Sequence, residues 1–316
     1  MIFDWATPRQ LREAGILGMN RRNHSFILKH NPRKYYPNVD NKLETKRLAE
    51  KHGVSTAALI GVIEYQHAAA ELPDLVRGHD DFVIKPAHGS GGRGIIVIDA
   101  HADGLYRKSG GATLTFRHIY HHISNILSGL YSLGGQPDAV MIERRIRFTD
   151  AFDGFSFEGV PDVRQIVFKG YPVMAMIRLS THASDGKANL HQGAVGVGLS
   201  LRDGSALFAV QHGRLVDRHP DTGRELRHLK VPLWNEHLQL AAACHAMCGL
   251  GYFGADIALD RDLGPLLLEL NARPGLAIQV ANQTGLAARL DAIDRLPSDA
   301  HPTIQKKIAF SQAIFA

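Results

Sequence analysis

In Glu269-Leu270-Asn271 two polar residues stand two apart in an apolar run, hence on one face of a strand. Asp256 lies in the preceding apolar run, and the turn-like Asp260-Arg261-Asp262-Leu263-Gly264 between the runs reads as a hairpin able to bring it alongside them. Two carboxylates and an amide carbonyl are hard oxygen donors, suited to Mg²⁺ on nucleotide phosphates. Apolar residues on both sides imply burial, and a buried carboxylate needs a partner. For Asp256 alone a structural ion pair is the better reading. For the trio followed by Arg273-Pro274-Gly275 a metal site is preferred over a salt-bridge network such as Glu269 with Arg273.

A second chemical signal is DFVIKPAHGSGGRGIIVID, Asp81 to Asp99. Gly89, Gly91 and Gly94 satisfy GxGxxG, but the β-branched residues that follow do not open a helix, as a dinucleotide fingerprint requires. No Gly-Lys-Ser/Thr closes the loop, which excludes a Walker motif. The pattern fits a glycine flap between two antiparallel strands. There, backbone N–H groups can approach phosphate oxygens with no Cβ in the way, and Lys85 ends the first strand as a cation for the same phosphates. An ordinary flexible hairpin is the alternative for the loop taken by itself.

The elements that must position these residues are legible in part. Thr7-Pro8-Arg9-Gln10 reads as a capped helix start. Residues 31–38 read as a loop, 41–52 as a helix stopped by Gly53, 54–63 as extended chain and 65–77 as helix. Phe82 to Lys85 and Ile95 to Ile98 read as strands, 116–133 as a helix and 139–142 as a strand. Residues 163–168 and 171–179 flank a Lys169-Gly170 hairpin turn, and 195–232 is strand-rich. Residues 234–247 read as a helix, 252–259 and 265–270 as strands, and the tail after Pro297 as partly helical. Strands mostly follow strands, which favours α+β with antiparallel sheets over a doubly wound parallel sheet.

The totals bound the function. The 316 residues suffice for one large or two ordinary domains. Net charge is +5 and pI about 9.2, without a long Lys/Arg run or an RNA-binding signature. An anionic small substrate accounts for that balance better than nucleic acid does. Neither a membrane span nor a signal peptide is read. Cys244 and Cys248, four apart in a helical pattern, read as buried packing, and so few cysteines fit a reducing cytoplasm. His118 and His122 have metal-like helical spacing but no third ligand, so a solvated helix face is preferred. Tyr35-Tyr36 between prolines reads either as a docking element or as a tucked-in pair.

Taken in order, several segments resemble the ATP-grasp ligases, and within them the RimK-type α-L-glutamate ligase-like group. They are Lys85-Pro86 with the flap, Glu143-Arg144 after a strand, Asp162-Val163-Arg164, Asn189 to Gly193, and the run Glu269 to Gly275. The resemblance covers roughly residues 40–290. It implies an ATP-grasp fold, with two α+β lobes gripping ATP between them. The corresponding division is an N-terminal extension 1–40, an N-lobe 41–142 with the flap, a C-lobe 143–295 with the Mg²⁺ site, and a tail 296–316. The implied reaction joins a carboxylate to an amine through an acyl phosphate.

By the same resemblance Lys42 and Lys85 contact ATP phosphates, and His88, Gly89, Ser90, Gly91 and Gly92 close over them. Glu143, Arg144 and Ile146 form the hinge at adenine, often through backbone. Asp162 lies near the ribose, and Lys187 and Asn189 reach phosphates and metal. Asp256, Glu269 and Asn271 hold Mg²⁺, as two ions, with Mn²⁺ as a substitute. Arg164 and Arg178, with Lys85, act on the acyl phosphate or the acidic substrate, and His191 is a candidate proton acceptor for the amine. The implied partners are a small acid or peptide C-terminus and an amino-acid amine, in the cytoplasm.

Two departures stand out. Only about 40 residues precede the match, too few for the additional N-terminal domain of the glutamate ligases, which suggests self-association. The family's arginine-rich stretch is here Arg178-Leu179-Ser180-Thr181-His182, so glutamate specificity does not carry over. A small-molecule kinase and a nucleotide-sensing module without turnover are the competing functions.

Overall fold

The computed structural model describes residues 6–89 and 91–315. The chain separates into two compact units. The smaller comprises residues 41–47 and 56–147, the larger residues 1–40, 48–55 and 148–316.

The smaller unit is built on six strands: β1 (Leu59–Ile63), β2 (Phe82–Pro86), β3 (Ile96–Ala102), β4 (Leu105–Lys108), β5 (Thr113–Thr115) and β6 (Val140–Glu143). Their order is β1-β6-β2-β3-β4-β5, and every neighbouring pair is antiparallel. Strand β2 shows how the sheet gets two faces. Phe82, Ile84 and Pro86 are buried, while Val83 and Lys85 alternate with them. Phe82 and Ile84 pack in one core with Ile119, Ile123 and Ile126, which the helix Phe116–Leu127 presents at spacings of four and three. The face carrying Lys85 has its own small cluster of Leu43, Ala87 and Met141.

The larger unit has seven strands: β7 (Asp162–Phe168), β8 (Tyr171–Leu179), β9 (Val195–Leu199), β10 (Ala206–Gln211), β11 (Arg214–Leu215), β12 (Tyr252–Asp260) and β13 (Gly264–Asn271). Their order is β11-β10-β9-β8-β7-β12-β13, again antiparallel throughout. The helix Trp234–Cys248 turns Ala241, Cys244, Met247 and Cys248 into a core shared with Phe253, Ala255 and Ile257 of β12. Both cysteines are buried and unpaired, as packing residues. Tyr35 and Tyr36 pack against this same core, which makes them a tucked-in pair.

Antiparallel α+β architecture thus follows the sequence pattern, and Thr7 and Gln10 form the expected capping box. Several boundaries differ. The segment read as helix over 65–77 is a 3₁₀ stretch, Gln66–Glu71, and one α-turn, Leu72–Leu75, because Pro73 cannot continue a ladder from the residues before it. The helix read to residue 133 stops at Leu127, where Gly129 adopts φ +84°. Only Leu59–Ile63 of the stretch 54–63 pairs as a strand. The segment read as a loop over 31–38 contains a 3₁₀ turn, Arg33–Tyr35, and begins the turn Pro37–Asp40.

No helix among the described residues is long and apolar enough to cross a membrane.

Candidate functional site

In the smaller unit the helix Lys42–His52 carries Lys42 in its first turn and Lys46 four residues on, hence on one helix face. Asn41 caps that turn, its side-chain oxygen accepting from the backbone N–H groups of Leu43 (2.9 Å) and Glu44 (3.2 Å). A cation in the first turn of a helix opposes the macrodipole, so Lys42 is not there for helix stability. Lys42 Nζ donates to the carbonyl of Gly89 at 2.5 Å. Lys46 Nζ lies 2.7 Å from one carboxylate oxygen of Glu143, and Lys85 Nζ lies 2.6 Å from the other. The three side chains are only 11 %, 14 % and 5 % exposed for Lys46, Lys85 and Glu143, so the contacts are shielded from water. Lys46 also donates to Thr56 Oγ1 at 3.3 Å and to the Ala57 carbonyl. Burial pushes the Glu143 carboxyl up, but Lys85 and Lys46 together hold it below the ordinary glutamate value. Burial lowers the Lys46 ammonium, against the pull of Glu143.

The glycine loop joins β2 to β3, as its sequence implies. Its entry is fixed by Asp138, whose carboxylate accepts from the His88 backbone N–H (3.0 Å) and meets the His88 ring at 2.7 Å. Ser132 donates to the same carboxylate at 2.6 Å. The exit is fixed by His122, whose Nε2 lies 2.9 Å from the Gly94 carbonyl, with burial lowering the pKa of the ring. Here the reading of His122 on a solvated face is corrected: the ring is half-buried against the loop, while His118 bonds to its own cap residue, Thr115. Gly94 has φ +75°, and a Cβ there would sit 2.7 Å from the Tyr131 ring, so glycine is required. Gly91 and Gly92 have φ +62° and +74° with open space where a Cβ would project. Ser90 lies outside the described residues. Arg144 donates its backbone N–H to Ala58 at 2.9 Å, and Ile146 is half-buried in the irregular chain after β6.

In the larger unit the register of β8, β7 and β12 assembles a second charged cluster. Asp162 pairs directly with Arg178, and Arg164 with Asp256. Arg164 holds Asp256 in a fork, Nε to Oδ1 at 2.7 Å and Nη2 to Oδ2 at 2.5 Å. Arg178 bonds Asp162 through Nε at 2.7 Å and through Nη2, and the same Nη2 reaches Asp256 Oδ2 at 2.7 Å. Burial pushes Asp162 up to about 6; Arg178 opposes this and the Asp256 charge adds to it. Burial acts on Asp256 in the same sense, but Arg164 and Arg178 overcome it and hold Asp256 well below the usual carboxylate range.

Glu269 is the direct cross-strand partner of Asp256, and Asn271 is opposite Gly254. Both are half-buried, and Asn271 Oδ1 accepts from the Arg273 backbone N–H at 2.8 Å. The Arg273 guanidinium lies over the Tyr36 ring at 5.0 Å. Glu269, Asn271 and the edge of Asp256 are hard oxygen donors on adjoining strands, a donor set that fits Mg²⁺, although both Asp256 oxygens already accept from arginine. Among the described residues no three His, Cys, Asp or Glu side chains form a metal-holding group by themselves. Asn189 caps a 3₁₀ turn by accepting from the His191 backbone N–H, and Lys187 pairs with Asp185 at 3.1 Å. Lys187, Asn189 and the exposed His191 make no bond to the arginine–aspartate cluster among the described residues.

Sequence reasoning missed Lys46 and Asp138. Lys46 carried a usable signal, the four-residue spacing from Lys42. Asp138 carried none, because only the tertiary fold brings it under His88. A cleft of ≈ 460 Å³ lined by Leu207, Phe208, Leu215 and Arg218 contains none of the expected site residues.

These features define a protein of the ATP-grasp fold: two antiparallel α+β units, one with the lysines and the glycine loop, the other with the acidic hairpin. A family model described as sugar-transfer associated ATP-grasp matches residues 21–295, and the chain belongs to that family. No curated protein sequence matches the chain. Among solved structures it is similar to the ATP-grasp ligase PsnB complexed with a minimal precursor, at 13 % identity and TM-score 0.45, covering 84 % of this chain and 63 % of that one. It is similar to D-alanine–D-alanine ligase from Bacillus anthracis, at 14 % identity and TM-score 0.44, covering 88 % and 70 %. It is also similar to an L-amino acid ligase from Bacillus licheniformis, at 13 % and 0.47, covering 85 % and 51 %. The chain spans about three fifths of the length of the PsnB chains it matches, 63 % and 60 %.

Proposed function

We propose that the protein is an ATP-dependent carboxylate–amine ligase that forms an amide bond through an acyl phosphate. The observation that carries this reading is the lysine cluster of the smaller unit: a buried carboxylate with two ammonium groups, beside a glycine loop anchored at both ends. Phosphoryl transfer needs positioning and neutralisation of phosphate charge, and no protein nucleophile. Lys42 and Lys85 bind the phosphates, and the backbone N–H groups of Gly89, Gly91 and Gly92 line them. The backbone around Glu143, Arg144 and Ile146 meets adenine, while the Glu143 side chain stays with Lys46 and Lys85, and Asp162 stands near the ribose.

The substrate carboxylate attacks the γ-phosphorus, the bond to the β-phosphate oxygen breaks, and ADP leaves. The amine then attacks the acyl carbon, loses a proton, and phosphate leaves as the amide forms. Arg164 and Arg178, locked by Asp162 and Asp256, are oriented to hold the acid or its acyl phosphate. Glu269, Asn271 and Asp256 would hold Mg²⁺, with Lys187 and Asn189 near the phosphates; the ion neutralises phosphate charge when bound. The acid is a small molecule or peptide C-terminus and the amine an amino acid, in the manner of the glutamate ligase-like group.

The test is a substrate screen with ATP and Mg²⁺ over amino acids, acidic peptides and sugar acids, the last because the family is associated with sugar transfer. ADP release that depends on both an acid and an amine, with an amide product by mass, is the expected result. A phosphorylated hydroxyl product instead would make the protein a kinase. Tight ATP binding without ADP under any pool would make it a nucleotide sensor.

A further inference from the structure

Glu143 shares its two oxygens between two lysines, and only one of these, Lys85, lies on the strand that leads into the glycine loop. A Lys85–Glu143 pair alone would be neutral and would add little to the attraction of an anion. Lys46 changes that sum: two ammonium groups on one carboxylate leave a net charge of +1 in a shielded setting, where charges act more strongly than in water. The Lys46 ammonium is itself occupied, with Glu143, Thr56 Oγ1 and the Ala57 carbonyl as its partners. We propose that Lys46 is a positioning residue for nucleotide binding: by neutralising Glu143 it releases the charge of Lys85 for the phosphates, and it ties the helix bearing Lys42 to the end of β6. This deepens the ligase reading and rests on it.

The electrostatic role makes a prediction that a merely structural one does not. Lys46→Met should weaken binding, whereas removing the carboxylate as well, in Lys46→Met/Glu143→Gln, should restore it, because Lys85 then has no carboxylate to cancel it. The experiment is calorimetric titration of the full chain with a non-hydrolysable ATP analogue and Mg²⁺, with melting temperature recorded for each variant. Lys85→Met is expected to lose most affinity. Lys46→Met should bind about tenfold more weakly, an effect of roughly 1.4 kcal/mol, and Lys46→Arg should stay near wild type. The double variant should recover most of the loss, and Glu143→Gln alone should bind more tightly than wild type.

A Lys46→Met variant that binds like wild type, or a double variant no better than Lys46→Met, overturns the proposal. Should Lys46→Met fail to fold, Glu143→Gln decides, and unchanged or weaker binding by it overturns the proposal. If wild type and Lys85→Met bind equally, or neither binds, it is the nucleotide reading that falls, and this inference falls with it.

Discussion

In the smaller unit one carboxylate, Glu143, serves two ammonium groups; in the larger, two carboxylates, Asp162 and Asp256, serve two guanidiniums. Both clusters are buried, and burial of charge is tolerated in each only because every group has a partner. They differ in the charge left over. The lysine cluster keeps a surplus of +1, which suits a group that must draw in an anion. The arginine–aspartate cluster cancels itself, and its forked bonds fix the orientation of Arg164 and Arg178. On the proposed ligase reading one attracts and the other orients, and damage to them should be read out differently.

The largest effect expected is on stability, in the self-cancelling cluster. Asp256→Asn leaves Arg164 and Arg178 facing one carboxylate, and breaking a buried ion pair from one side costs about 3–5 kcal/mol. Denaturant unfolding checks this, and a loss under about 1 kcal/mol would mean the cluster is effectively solvated. Next comes turnover. Lys85→Ala and Glu269→Ala should each lower the rate by about 10²–10³-fold or more with the fold intact. In the first case Glu143 keeps Lys46. Normal activity of either variant with the right substrate would break the site assignment.

The pH response of the larger unit sharpens the comparison. Asp162 is raised from 3.8 to about 6, so the folded state binds its proton more tightly than the unfolded chain does. Stability from this group is present below pH 3.8 and is lost as pH rises through about 6. Asp256, held low, works in the opposite sense and in a more acidic window. The measurement is unfolding free energy between pH 4 and 6.5, wild type against Asp162→Asn. The difference should fall with rising pH, and a flat difference would refute it. The smallest effect is local: Asn41→Ala removes the cap of the lysine-bearing helix and should cost about 1 kcal/mol, visible as a lowered melting temperature.

Much of the frame was legible from residue patterns. The alternation in Phe82–Lys85, the glycine loop that joins strands, and the Asp256/Glu269 hairpin all follow from local periodicity and turn chemistry, which are encoded within a few residues. Helix ends were less legible, because Pro73 and Gly129 decide them singly. The partners of charged residues were hardly legible. Arg164 and Asp256 are 92 positions apart in the chain, and Arg178 and Asp256 are 78 apart.

From the order of residues alone came the donor types: lysines by a glycine loop, oxygen donors alternating on a strand, arginines on the two strands of an earlier hairpin. Chain order cannot say which charge neutralises which, since that depends on strand register and on which helix turn covers which sheet face. Tertiary structure decided that Glu143 is divided between Lys46 and Lys85 and that Asp256 is gripped by two arginines. The reason is physical: a side chain's identity is local information, whereas the electrostatic balance of a buried cluster is a sum over groups that only folding brings within a few ångströms of one another.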